Sequence, residues 1–327
     1  MQVSIIRQTP AASVMLMLLL VTIAFVRFAL APYGDEFITG GVATLGELVD
    51  RLQSTYPVWG WILSGLTIFI SAFNIGKTTS SLGLYPQRTT ITIPLFAIIS
   101  CGIFIATDSL AVSIATLLSV QTMRYLCGGY VRGTDLNFAL YAGLCAGIAP
   151  LFYAPTTTLL LLLPVAIMMF GLSWREIIVM IVGAIFPLAA TCYVGWLCGD
   201  EFATPAISLY EAFTGNYEYT LWSSESVVAL TLMGIILFAT ICGIIAFFGD
   251  RRSVAVRPRT ILAFNIVFLA ITLVSFSLPS ATVGLFSIVA IPASVLIPVG
   301  LVHARDLFAN LLFMTIIILM FIHLFIA

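Results

Sequence analysis

Long apolar runs separated by short polar breaks dominate this chain. Eleven runs are read at about 13–31, 57–75, 90–107, 110–127, 137–153, 156–171, 176–198, 226–248, 261–278, 282–302 and 308–326. Most have the roughly 17–25 residues that an α-helix needs to cross about 30 Å of hydrocarbon. An outer-membrane barrel would show short alternating segments instead. The pattern predicts an all-α, polytopic integral membrane protein with about eleven transmembrane helices and a cytoplasmic N-terminus. Three breaks are very short: Thr107-Asp108-Ser109, Ala154-Pro155 and Pro279-Ser280. Pro164, Pro187, Pro292 and Pro298 fall inside runs, where they would kink a helix and free carbonyls. The first run carries parts of a signal peptide, with Arg7 ahead of it and Ala29-Leu30-Ala31 at its end. Pro32 after that site and Arg27 within the run favour a retained anchor.

Two breaks have a periodicity of their own. In residues 32–56, Val42, Leu45, Val49 and Leu52 fall on one helical face, with Glu47, Asp50 and Arg51 away from it. This predicts a helix lying along the membrane interface. Residues 199–225 hold a shorter stretch of the same kind, Ile207–Phe213, followed by Tyr217, Tyr219 and Trp222.

Composition narrows the class without changing it. At 61% apolar and 8% charged residues, the chain is far from the roughly 25% charged residues of a soluble domain. A net charge of −1 leaves no basic face to neutralise phosphates, so nucleic acid is not an expected partner. No P-loop or dinucleotide fingerprint occurs, and no internal repeat is evident. The six cysteines lie in or at the ends of apolar runs and form no C-x-x-C pair, and two histidines are too few for a histidine-rich metal site.

Charge adds orientation. With the N-terminus inside, all of the 13 Lys/Arg except Arg27 and Arg51 fall on the cytoplasmic side, as the retention of basic residues requires. Arg124, Arg132 and the Arg251–Arg259 cluster read as anchors to anionic headgroups or as a lipid-phosphate site. Asn74 and Asn265 are expected to hydrogen-bond between helices. The carboxylates gather on the other side: Asp35, Glu36, Glu47, Asp50, Asp108, Asp200, Glu201, Glu211, Glu218 and Glu225 fall outside.

Three of these acids are the candidate catalytic residues: Asp35, Glu36 and Asp108. Asp35-Glu36 follows the first run at the water boundary, where the pair can accept a proton or hold a divalent cation, or else cap a loop helix and face water. Asp108 sits in a three-residue turn at the outer rim, and a turn Asp also commonly satisfies local backbone donors. Glu36 and Asp108 are the candidate metal ligands. Tyr217, Tyr219 and Trp222 read either as an aromatic belt or as a sugar-stacking wall. With Tyr153 they form the candidate substrate-binding set.

The stretch Tyr141-Ala142-Gly143-Leu144-Cys145-Ala146-Gly147-Ile148-Ala149-Pro150-Leu151-Phe152-Tyr153-Ala154-Pro155, with Leu159–Pro164, Ser173–Glu176 and Gly183–Pro187, resembles a family of multi-pass membrane proteins of unassigned function from Bacteroidota. The same segment is more remotely similar to the GT-C membrane glycosyltransferases, which use polyprenyl-phosphate sugars. That resemblance implies a GT-C-like module over 1–198, an outer loop over 199–225 and C-terminal helices over 226–327, all in one transmembrane domain. It implies Asp35 as base or acceptor-orienting acid, with Glu36 and Asp108 holding a cation or sugar hydroxyls. Two departures are plain. Phe152-Tyr153 stands where those enzymes often carry a basic residue, and no soluble outer domain follows.

The expected function is transfer of a sugar or related group from a polyprenyl-phosphate carrier on the outer face of the bacterial cytoplasmic (inner) membrane. The alternative is a transporter or flippase, or a non-enzymatic accessory subunit of an envelope complex. Membrane lipids are expected partners in either case.

Overall fold

Inside hydrocarbon every backbone N–H and C=O must be satisfied within the chain, and the continuous apolar runs do so as helices. The structure, a computed structural model, describes residues 10–30, 41–85, 89–102, 109–133, 135–215, 227–249, 255–282, 284–304 and 306–326. Its helices are α1 (Pro10–Leu30), α2 (Thr44–Thr55), α3 (Pro57–Ser81), α4 (Thr92–Gly102), α5 (Leu110–Arg132) and α6 (Leu136–Phe152), then a 3-10 segment (Ala154–Leu161) running into α7 (Leu162–Phe170). There follow α8 (Trp174–Leu197), α9 (Thr204–Thr214), α10 (Val227–Gly249), α11 (Val256–Ser275), α12 (Leu285–His303) and α13 (Asp306–Ile326).

The chain is an all-α, polytopic membrane protein. Among the described residues, seven helices are long and apolar enough to cross a membrane: Pro57–Ser81, Leu110–Arg132, Trp174–Leu197, Leu230–Gly249, Val256–Ser275, Leu285–His303 and Asp306–His323. Shorter apolar helices cover Pro10–Ile23, Thr92–Cys101, Leu136–Phe152 and Ala154–Phe170. Helical structure therefore falls on each of the eleven apolar runs.

Two apolar helices lie in the middle of the bundle. In α4, Leu95, Phe96, Ala97 and Ile98 are fully buried, and α12 buries Ile291, Ala293, Val295 and Leu296 against its neighbours. By contrast, α8 turns Ile178, Val182, Ile185 and Phe186 outward, the direction in which lipid replaces protein. The interior carries hydroxyl pairs between helices: Ser64 with Ser113 at 3.0 Å, Thr116 with Ser287 at 2.9 Å, and Thr158 with Ser275 at 2.6 Å. Such pairs are worth roughly 1 kcal/mol in a membrane.

Glycine sets the closest approaches. On α6, a side chain at Gly143 would run into the Met180 carbonyl of α8, and one at Gly147 into the Ala184 carbonyl. Gly183 faces back against Leu140. A second such seam joins α10 to α12, with Gly243 on the Leu296 carbonyl and Gly300 on Gly243.

Two local features depart from the sequence pattern. The chain enters the sixth apolar run through eight residues of 3-10 helix, Ala154–Leu161, long for that conformation. Thr156, Thr157 and Thr158 donate to the carbonyls of Tyr153, Ala154 and Pro155, three residues back, at 2.7, 2.7 and 3.0 Å. Asn265, expected to bond to a neighbouring helix, instead donates to the Ile261 carbonyl of its own helix at 2.9 Å. Asn74 does bond across helices, accepting from Arg124 Nη1 at 3.1 Å.

Candidate functional site at the outer end of the bundle

The end of the bundle that carries residues 41–55 is called outer, after the orientation that the charges predict. At its centre, residues 41–43 run antiparallel to the corner between α6 and the 3-10 segment, with Val42 bridged to Tyr153. Ala154 N donates to Gly41 O at 2.7 Å, and Ala43 N donates to Phe152 O at 3.5 Å. Gly41 is required twice over. Its φ is +77°, and a Cβ there would lie 3.1 Å from Pro155 Cδ and 3.2 Å from Ser280 O.

Tyr153 ties further segments to this corner. Its hydroxyl pairs with Thr282 Oγ1 at 2.6 Å, in the turn between α11 and α12. Gly284, just beyond, approaches both the Tyr153 hydroxyl and Val112 in the first turn of α5. Ser280 in the same turn is wholly buried and its hydroxyl has no partner among the described residues. From the side, α9 closes on the corner. Thr44 Oγ1 donates to Ser208 Oγ at 3.3 Å, and Ala43, Ala154 and Ala212 form a small cluster with Leu209 and Phe213 against it.

The α2 helix then carries the contact along to the turn before α5. Gln53 Oε1 accepts the N–H of Leu110 at 2.9 Å, taking one of the orphan donors at the start of α5. Ser109 caps the same end, its hydroxyl accepting from Val112 N at 3.4 Å. Gly60 leaves the room for Gln53, because a Cβ there would sit 2.6 Å from Gln53 Cγ.

These contacts decide which way α2 faces. The helix exists where the periodicity predicts it, but its bundle side is Gly46 and Gln53, with Gly46 pressed on the Phe152 carbonyl. Leu48 and Leu52 point away from the protein at 55% and 61% exposure. Of the expected apolar face, Val42 is buried and Leu45 and Val49 are half-buried, while Leu52 is exposed, so the side that meets the bundle is that face turned toward Gly46 and Gln53. A close backbone approach and a hydrogen bond to α5 outweigh the burial of one leucine.

Asp50 departs from the sequence pattern as well. The periodicity sets it away from the apolar face with Glu47 and Arg51. Four residues after Gly46 and three before Gln53, it shares their face and is half-buried. Its carboxyl is pushed up from the ordinary 3.8 to about 6, first by loss of solvent and then by the neighbouring charge of Glu47. The signal is present in the sequence as the 46/50/53 spacing. It becomes readable only once Gly46 and Gln53 are known to face protein.

Of the candidate residues that the sequence suggests, Tyr153 is described. At 0% exposure, with its hydroxyl taken by Thr282, its ring is a structural pin with no face free for a sugar. Asp35, Glu36, Asp108, Tyr217, Tyr219 and Trp222 lie outside the described residues. Among the described residues, no three of His, Cys, Asp or Glu come together as ligands for a metal ion.

Comparison with protein-family models, curated proteins and solved structures finds no match. What the described residues bring together at this end is the junction itself. It supplies a half-buried carboxyl held above its ordinary range, a hydroxyl with no partner among the described residues, and hydrogen bonds that fasten several turns together.

Proposed function

We propose that the chain transfers a sugar or related group from a polyprenyl-phosphate carrier at the outer end of the bundle, on the outer face of a bacterial cytoplasmic membrane. In this reading Asp35 takes the proton of an acceptor hydroxyl as that oxygen bonds to the sugar's anomeric carbon. The bond from that carbon to the carrier phosphate breaks, and the carrier leaves as polyprenyl phosphate. Glu36 and Asp108 hold a divalent cation or the sugar hydroxyls, and Asp50 is a second proton acceptor at the rim.

One observation carries the reading. The chain that follows each acidic position is fastened to a single junction: Gly41 by Ala154, Leu110 by Gln53, and Val112 through Gly284 to Tyr153. A transport or flippase role is favoured instead by the hydroxyl pairs inside the bundle, Ser64–Ser113 and Thr116–Ser287. Substitution separates the two. Asp35→Asn and Asp108→Asn should each abolish transfer of radiolabel from a polyprenyl-phosphate hexose in membrane vesicles, at unchanged membrane abundance. Transfer retained in both variants ends the transferase reading.

A further inference from the structure

Consecutive helices joined by a short connection usually pack together, yet α10 and α11 pack along α12 and make few contacts with each other. Between them lies an apolar groove of about 620 Å³, floored by Phe286, Val289 and Ala293 of α12. Its walls include Gly234 and Leu237 on one side and Leu273 on the other.

We propose that this groove holds one acyl chain of a bilayer phospholipid, in the leaflet next to the outer junction. The inference goes beyond the transfer reading, since it requires no reaction. Water is a poor filling: of the lining residues only Thr240 and Ser277 carry hydroxyls, and that of Thr240 is bound to Ile236 O at 2.7 Å. Depth selects the occupant. From Leu230 to Thr240 the α10 wall rises about 15 Å at 1.5 Å per residue, half of a hydrocarbon core of about 30 Å. That is the reach of a chain confined to one leaflet, whereas a partner's transmembrane helix would need the full thickness.

The side of the membrane follows from the lining. Leu230 stands near the start of α10, Phe276 just past the end of α11 and Phe286 at the start of α12. The Phe276 and Phe286 rings meet at 4.8 Å beside the turn that holds Ser280 and Thr282. The polar end of such a lipid thus arrives at the outer junction. Gly234 marks space that no protein atom uses, for a Cβ built there meets nothing within 4 Å. Leu237 and Leu273 stand at the mouth, 53% and 45% exposed.

The test uses the full chain in vesicles of phosphatidylethanolamine and phosphatidylglycerol, with a small fraction of phosphatidylethanolamine carrying a diazirine in one acyl chain. After irradiation, adducts mapped by mass spectrometry should favour Met233–Leu237 and Leu269–Leu273 roughly fivefold over the exposed Ile178–Phe186 face of α8, the excess expected of a site over bulk contact. Gly234→Phe should fill the groove and lower those adducts to the α8 level while the unfolding midpoint holds. Leu273→Trp, at the mouth, repeats the test if the first variant fails to fold. Even labelling of α8 and α10, or groove adducts unchanged in the folded variant, overturns the proposal. So does release of a prenyl lipid instead of a phospholipid from the wild type, if that release is lost on substitution.

Discussion

The α6–α8 pair and the α10–α11 pair face the same physical problem and resolve it differently. Lipid is as apolar as a leucine side chain, so two helices gain little by hiding apolar surface from it, and association depends on close packing and hydrogen bonds. On α6, Gly143 and Gly147 stand four residues apart on one face, and Gly183 answers from α8, so the two backbones touch. Between α10 and α11 no such surface is shared. The close-approach glycine of α10, Gly243, is committed to α12, while Gly234 looks onto empty space. Small residues therefore decide where this bundle closes and where it stays open to lipid, and hydrophobicity, nearly uniform along these helices, does not.

The largest expected effect comes from forcing the closed seam. Gly147→Leu would drive a side chain into the Ala184 carbonyl, a backbone atom that cannot rotate away. A loss of at least about 3 kcal/mol is expected, seen as loss of the monodisperse, detergent-solubilised protein and a collapse of its unfolding midpoint. An unchanged midpoint would show that α6 and α8 are not held by this contact.

The same contrast explains how much of the molecule is legible in its sequence. Apolar run length locates the helices because backbone satisfaction in hydrocarbon leaves few alternatives. The loop helix α2 is legible too, but its direction is not. A helix at an interface meets three surroundings (water, lipid and protein), and an apolar scale separates only the first from the other two. Leu48 and Leu52 satisfy the scale by facing away from the protein, and Gly46 and Gln53 turn inward for reasons of shape and hydrogen bonding. Tyr153 is legible as an important aromatic but not as a pin, because Thr282 lies 129 residues away in sequence. The acids at 35, 36 and 108 are legible as chemistry, while the structure describes only their flanks.

A smaller effect is expected where α2 meets the bundle, since this contact is neither closed like α6–α8 nor open like α10–α11. The Asp50 carboxyl titrates at about 6 in the folded chain against an ordinary 3.8. Below the lower value it is protonated in both states and has no effect on stability. As pH rises through about 6 the folded chain must ionise a half-buried group, so stability is lost across that window and stays lower above it. Asp50→Asn should raise the unfolding midpoint at pH 7.5, by about 1 kcal/mol once partial exposure is discounted, and flatten its dependence between pH 4 and 6. Glu47→Gln should reproduce a part of the change, because the Glu47 charge is the second cause of the shift. A midpoint that is indifferent to both substitutions would place Asp50 in water.

The smallest expected effect sharpens the comparison most, because it turns on the sign. Gly234→Ala adds one methyl where nothing lies within 4 Å, and it removes the conformational freedom that glycine gives the unfolded chain. In a helix interior that exchange is worth about 0.5–1 kcal/mol in favour of the folded state. The same exchange at Gly147 places the methyl against the Ala184 carbonyl and should destabilise. Opposite signs for one chemical change, read as unfolding midpoints of the two variants in the same detergent, are what a closed seam and an open groove require. A loss at both positions would mean that the space beside Gly234 is not free, and the α10–α11 groove would then be as tightly filled as the seam between α6 and α8.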